Sequence, residues 1–146
     1  MIRTRLPVTT AVALGLTFLG ADTLGAQTYT GSPFIEQMTW TEIRDAMAAG
    51  KTKVIVPIGG TEQNGPHMVM GKHNYVITFA AGKMAREMGD VLVAPTVAWV
   101  PEGSYEREGF GDKPGVITNP SPSYNNLLEA AARSLESHGF TEIIFI

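Results

Sequence analysis

The sequence predicts an α/β domain with a mainly parallel sheet. Three apolar segments, at residues 54–58, 91–100 and 142–146, alternate with segments whose apolar residues recur at helical spacing. Alternation of this kind is typical of parallel sheets covered by helices. The first apolar segment is also a continuous run without polar residues on alternate positions, as expected of a strand that is buried on both faces.

Helices are predicted in the three intervening segments. The first begins at Thr39, which stands three residues before Glu42 in the spacing of a capping box, and ends near Gly50. The second runs from about residue 74 to residue 88, where a glycine follows it. The third covers about residues 121–138 and carries a proline in its first turn.

Residues 101–120 have no clear period and are predicted to form a long loop, of the kind that is often functional in a compact domain. We expect most of its acidic side chains to be solvated, with an acid near a site as the alternative; these residues are Glu102, Glu106, Glu108 and Asp112. The two tryptophans, Trp40 and Trp99, are expected in the core.

The first 26 residues are typical of a secretory signal peptide. Arg3 and Arg5 precede a short apolar stretch, and small residues suited to cleavage end at Ala26. The stretch is shorter than the roughly 20 apolar residues that span a bilayer. We therefore expect export to the periplasm or medium, with no membrane contact after cleavage. Residues 27–38 are predicted to be an N-terminal arm, and residues 39–146 the α/β domain.

Composition excludes several classes of function. The chain has 146 residues, 11 Lys and Arg against 14 Asp and Glu, and a formal net charge of −3. It has no basic block of the kind that binds nucleic acid. It has no cysteine, so a metal would be held by His, carboxylate or amide groups. Because the sequence stops at Ile146 inside an apolar run, we expect it to be the N-terminal part of a longer domain.

The most unusual stretch is GGTEQNGPHMVMGKHN, residues 59–74, directly after the first predicted strand. Its glycines match neither the P-loop nor the dinucleotide spacing. Glu62, Asn64, His67 and His73 could converge on a metal ion, since these donors suit Zn, Mn or Fe. The competing interpretation is a polar turn in which the histidines are hydrogen-bonded and Asn74 caps the next helix, and spacing alone favours that turn.

Residues 57–74, PIGGTEQNGPHMVMGKHN, resemble the signature of the creatininase (creatinine amidohydrolase) family. The agreement in order and spacing includes Pro57, Gly59, Glu62, Gln63, Gly65 and His67. The order of elements over residues 39–146 also fits that family. The resemblance implies a three-layer α/β fold and hydrolysis of amide bonds in small, often cyclic compounds with two divalent metals, Zn or Mn.

The resemblance also implies roles for single residues. Glu62 stands at a metal-ligand position, Asn64 where the family has a ligand histidine, and His73 where it has a bridging aspartate. An amide oxygen is a weaker ligand than an imidazole, and a neutral imidazole has one free lone pair and cannot bridge two ions. We therefore expect one divalent ion in place of two, held by Glu62 and His73 with Asn64, and a catalytic role for His67 in orienting a ligand or binding substrate.

The resulting hypothesis is an exported, metal-dependent amidohydrolase that acts on a small-molecule amide. The alternative is a creatininase-like scaffold that does not hydrolyse and binds a small polar ligand, which the changes at Asn64 and His73 favour. The open edges of such a sheet also favour association into a homo-oligomer.

Overall fold

A computed structural model describes residues 31–106 and 112–146. The predicted signal peptide, the first part of the arm and Glu108 lie outside the described residues. A short 3-10 helix at Ile35–Gln37 was not predicted, and the elements after it follow the predicted order. The helices are α1 (Trp40–Ala48), α2 (Lys72–Met88) and α3 (Ser121–Ser137), and the strands are β1 (Lys53–Val56), β2 (Val91–Val93) and β3 (Glu142–Phe145).

The sheet is parallel, and β1 is its central strand, in the order β2-β1-β3. Val54 lies opposite Leu92 on one side and Ile143 on the other. Strand β2 ends at Val93 and is shorter than the strand predicted over residues 91–100. The proline at position 95 cannot donate a ladder hydrogen bond. Beyond β2 the chain follows its neighbours through isolated bridges, including Ile58 to Val97.

Helices cover both faces of this sheet. Val54 and Val56 belong to a buried cluster with side chains of α1, whereas Ile55, between them, packs with Ala81 and Ala85 of α2. Residues 54–56 are each at most 2% exposed. Alternate residues of one strand therefore pack against different helices, and the three-layer α/β sandwich is confirmed.

The helix starts follow local chemistry. Thr39 accepts a hydrogen bond from the backbone N–H of Glu42, and the Glu42 carboxylate accepts one from the Thr39 N–H at 2.7 Å, so the predicted capping box is present. Helix α2 begins at Lys72, before the predicted start at Asn74. Asn74 therefore does not cap this helix; its side chain is used elsewhere.

The expectation that the tryptophans lie in the core is wrong. The side chains of Trp40 and Trp99 are 72% and 62% exposed. Trp40 is the first residue of α1, and its ring lies under the guanidinium of Arg44, 5.4 Å from the ring centroid. A cation–π contact of this kind lets an aromatic ring remain at the surface.

Replacing Ile55 by alanine should test how far the domain depends on β1. Ile55 is fully buried, so we expect the free energy of unfolding to fall by about 2–5 kcal/mol. Urea denaturation followed by circular dichroism measures the change. Ile117→Ala is the matched control, because that side chain is 43% exposed and its loss should change stability by no more than about 0.5 kcal/mol. Equal losses in the two variants would contradict the assignment of β1 as the core strand.

Candidate functional site

The loop that follows β1 is fixed to α2 by a side chain reaching into its glycines. The Asn74 side-chain oxygen accepts a hydrogen bond from the Gly60 N–H at 2.9 Å. A Cβ atom on Gly59 would lie 2.0 Å from that same oxygen, so no larger residue fits there without movement. The glycines thus permit a close approach between the loop and the start of α2, which is their structural role here.

The segment after β2 lies along the other side of this loop. Thr61 donates its hydroxyl hydrogen bond to the Ala98 carbonyl at 3.1 Å and accepts a backbone hydrogen bond from Ile117. The Glu102 N–H donates to the Thr118 hydroxyl at 3.0 Å. These contacts bring the Glu102 carboxylate against Gly60, where a Cβ atom would lie 2.3 Å from its oxygen.

A carboxylate, an imidazole and an ammonium converge at the carboxyl end of β1. The Glu62 Oε1 lies 2.7 Å from the His73 Nε2, and the Lys72 Nζ lies 3.8 Å from the same oxygen. Lys72 Nζ also contacts His73 Nε2. The side chains of Glu62 and Lys72 are 13% and 17% exposed, against 44% for His73. Ligands of open α/β sheets bind at this end of the strands.

Glu102 completes the cluster. Burial raises the pKa of its carboxyl above 4.5, and the neighbouring charge and hydrogen bond of the Glu62 carboxyl raise that pKa further. Electrostatic interactions with His73 and Lys72 act in the opposite direction and limit the rise of this pKa. Two close carboxyl groups retain a proton more readily than one alone, so Glu102 holds its proton to a higher pH than an isolated glutamate does.

The structure brings together two of the residues singled out in the sequence and leaves two apart. Glu62 and His73 are in contact, as described above. Asn64 and His67 are exposed, and the His67 ring lies beside Gly65, at 3.2 Å from the position a Cβ atom would take there. Within the described ranges no hydrogen bond joins either side chain to Glu62 or His73.

Lys72 is not identified from the sequence, and Glu102 appears there only in the less favoured alternative, an acid near a site. Glu102 was expected to be a solvated loop charge. It lies beside Glu62 because the Ile117 N–H bonds to the Thr61 carbonyl and the Glu102 N–H to the Thr118 hydroxyl, which holds its segment along the glycine loop. Its position just after the second apolar segment is a signal, since strand ends meet at one edge of a parallel sheet. Lys72 has no sequence signal beyond its place next to His73.

The donor set fits a single divalent ion better than a pair of ions. A carboxylate oxygen and an imidazole nitrogen, such as those of Glu62 and His73, are the donors that Zn and Mn take. In residues 31–106 and 112–146, no group of three or more His, Cys, Asp or Glu side chains is arranged to hold a metal. Catalytic zinc sites commonly use three protein ligands, so these two donors are fewer than such a site commonly has.

The described chain is a three-layer parallel α/β sandwich with a carboxylate–imidazole cluster at its strand ends, which is where open α/β sheets bind their ligands. Comparison with known proteins specifies the family. The family model described as "Creatininase: Creatinine amidohydrolase" matches residues 36–146. The chain therefore belongs to the creatininase family, and the resemblance of its glycine loop is confirmed.

Two curated relatives cover the same region. The chain is 25% identical to a creatinine amidohydrolase of Pseudomonas putida over 115 residues. The aligned region covers 79% of this chain and 44% of that protein. The chain is also 34% identical to a mycofactocin precursor peptide peptidase of Mycolicibacterium smegmatis over 98 residues. That aligned region covers 64% of this chain and 37% of that protein. The chain thus spans less than half the length of these relatives.

Solved structures of creatininases are also similar to this chain. A crystal structure of creatinine amidohydrolase (creatininase) superimposes with a TM-score of 0.71 at 25% identity, covering 80% of this chain and 44% of that one. A structure titled "Creatininase Mn" has a TM-score of 0.70 at 25% identity, with 79% and 44% coverage. A mutant creatininase of "Zn-Zn type" has a TM-score of 0.71 at 25% identity, with 80% and 45% coverage.

Glu102→Gln should alter the dependence of stability on pH. A carboxyl whose pKa is raised by folding stabilises the folded state while it is protonated, and this contribution is lost as pH rises from 4.5 through the raised pKa. The free energy of unfolding of the wild-type protein should therefore decline between pH 4.5 and neutrality, and that of the variant should decline by less. Urea denaturation at a series of pH values, with chelator present, measures it.

Glu106→Gln is the matched control, since Glu106 is exposed in the same loop. It should preserve the wild-type pH profile. A Glu102→Gln protein that declines as steeply as the wild type over this range would show that Glu102 is not the proton-retaining group.

Proposed function

We propose that the gene product is an exported, metal-dependent amidohydrolase that cleaves an amide C–N bond in a small compound, cyclic amides included. The observation that carries this proposal is the 2.7 Å contact between Glu62 and His73 at the carboxyl end of β1. Membership of the creatininase family supports a hydrolase. The names of the relatives, a creatinine amidohydrolase and a peptide peptidase, both describe proteins that act on C–N bonds of amide type.

In this proposal Glu62 and His73 hold one divalent ion, Zn or Mn. The bound ion supplies positive charge that polarises a carbonyl group and lowers the pKa of water toward about 7. Support for a metal comes from the Mn and Zn-Zn forms of creatininase among the similar structures. Asn64, the third predicted ligand, would have to turn inward from its exposed position to reach the ion.

The remaining side chains would act on the substrate. Glu102, whose pKa is raised by burial and by the neighbouring Glu62, would donate a hydrogen bond or a proton to an amide group next to Glu62 when it is protonated. His67 lies exposed on the same loop and would contact the substrate from the solvent side, where it orients a ligand. Its catalytic role stays a prediction, because the described contacts of His67 do not reach the cluster.

A second function is a scaffold that binds a small polar ligand without hydrolysis. One observation favours it: the described residues assemble no set of three metal-ligating side chains. An ammonium already contacts both candidate ligands. In this alternative the Glu62–Lys72 pair and the Glu102 carboxyl would bind a ligand amide through hydrogen bonds alone.

Predicted partners follow from the same reasoning. A small-molecule amide is the expected substrate, and the net charge of −3 does not favour nucleic acid. None of the helices in the described ranges is long and apolar enough to cross a membrane. Association into a homo-oligomer stays a prediction.

Glu62→Gln should abolish both metal uptake and turnover. The substitution keeps the shape of the side chain and removes its charge, so we expect zinc affinity to fall by about 100-fold or more, at least as much as loss of an outer partner of a metal ligand costs. Zinc affinity is measured by calorimetric titration. Turnover is measured with creatinine and a short peptide as probe substrates. Glu87→Gln, on the exposed surface of α2, should leave both unchanged.

These measurements separate the two functions. A wild-type gene product that binds no zinc or manganese and hydrolyses neither probe, yet binds creatinine equally well with chelator present, would support the scaffold. Zinc-dependent turnover that Glu62→Gln removes would support the enzyme.

Export predicts cleavage after Ala26, so that the mature protein begins at Gln27. N-terminal sequencing of the protein recovered from the periplasm or medium checks the cleavage point. Replacing Ala26 by a bulky residue, Ala26→Trp, should block processing, because the cleavage site requires small residues. Recovery of the wild-type protein from the cytoplasm with residues 1–26 intact would contradict export.

A further inference from the structure

Lys72 is placed where its positive charge is unfavourable on local grounds. It is the first residue of α2, after the N-cap Gly71. A helix N-terminus carries partial positive charge, which favours anions and opposes cations. The Lys72 side chain is also only 17% exposed, although a lysine ammonium is strongly hydrated and costly to bury unpaired. Neighbouring groups in the site must therefore offset the cost of burying the ammonium and the cost of placing it at a helix N-terminus.

The offset comes from the groups predicted to hold the metal. Lys72 Nζ lies 3.8 Å from Glu62 Oε1 and contacts His73 Nε2. Its charge also acts on the Glu102 carboxyl. The ammonium therefore has the surroundings that a bound cation would have, between a carboxylate and an imidazole nitrogen.

A single nitrogen links these contacts. His73 Nε2 faces the Glu62 carboxylate and the Lys72 ammonium together. This nitrogen can donate an N–H to the carboxylate or accept from the ammonium through its lone pair, but not both, and it must give up either contact to bind a metal ion through that lone pair. A divalent ion that binds Glu62 and His73 must therefore displace Lys72, and the repulsion between the two cations adds to the cost.

We propose that Lys72 is a built-in cation of this site, which competes with the divalent ion for Glu62 and His73 and thereby weakens metal binding. The proposal rests on the proposed function in one respect, namely that a divalent ion binds at these two residues. It adds a residue that determines metal affinity. In the same position Lys72 neutralises part of the carboxylate charge of Glu62.

The test is zinc titration by calorimetry of the whole gene product and its Lys72→Met variant, which retains the length of the side chain and loses its charge. Removing a unit charge at contact distance should tighten zinc binding by about tenfold or more. Lys83→Met is the matched control, since Lys83 lies on the same helix, pairs with Glu87 at the surface and carries the same charge. Its zinc affinity should stay within about twofold of the wild type, because exposed charges at a distance are screened.

Lys72→Met binding zinc as weakly as the wild type, or more weakly, would overturn the proposal while leaving the metal site in place. Absence of zinc binding by both proteins would overturn the competition together with the metal dependence of the proposed function. Zinc-dependent turnover with unchanged affinity in Lys72→Met would overturn the competition alone. The failures of the two proposals are therefore distinguishable.

A second measurement does not depend on metal. In excess chelator, Lys72→Met should lower the thermal midpoint, because Glu62 loses the cation beside it. In a Glu62→Gln background the same substitution should lower the midpoint by less, since the charge it balanced is gone. Equal decreases in the two backgrounds would show that Lys72 is not the counter-charge of Glu62, and would overturn the proposal even if zinc affinity rises.

Discussion

The close approach of two side chains to the glycines after β1 determines the geometry of the whole site. Asn74 reaches Gly59 and Gly60 from helix α2, and Glu102 reaches Gly60 from the segment after β2. A Cβ atom on either glycine would occupy the space of a side-chain oxygen. The glycine pair thus sets how near the helix and the following segment lie to the loop. Glu62, two residues further on, is held between them.

Charge balance follows from that geometry. Two carboxyl groups meet in a half-buried position, which favours either a proton or a nearby cation. The pKa of Glu102 is raised, so it holds a proton more readily than an isolated glutamate, and the cation is provided by Lys72. A divalent ion would replace part of this arrangement. The affinity of the site for metal therefore depends on what the ion displaces as much as on the ligands it gains.

Much of the fold can be predicted from the sequence because its signals are local. The capping box of Thr39 and the unbroken apolar run of β1 each specify an element without reference to the rest of the chain. The end of the second strand at Val93 has a local signal too, the proline at position 95, whereas the exposure of Trp40 depends on which neighbours are available. The contact of Glu62 with His73 was expected from the loop sequence. The position of Glu102 results from hydrogen bonds between segments, and that of Lys72 from where helix α2 begins, and residue spacing encodes neither.

The central claim is that Glu62 and His73 bind one divalent ion together. A crystal of the gene product grown with zinc, with diffraction recorded on both sides of the zinc absorption edge, tests it most directly. The account predicts one anomalous peak about 2.0–2.2 Å from a Glu62 oxygen and from His73 Nε2, with the Lys72 ammonium moved away. A zinc-loaded crystal with no peak at these two atoms, and with Lys72 still beside Glu62, would contradict it.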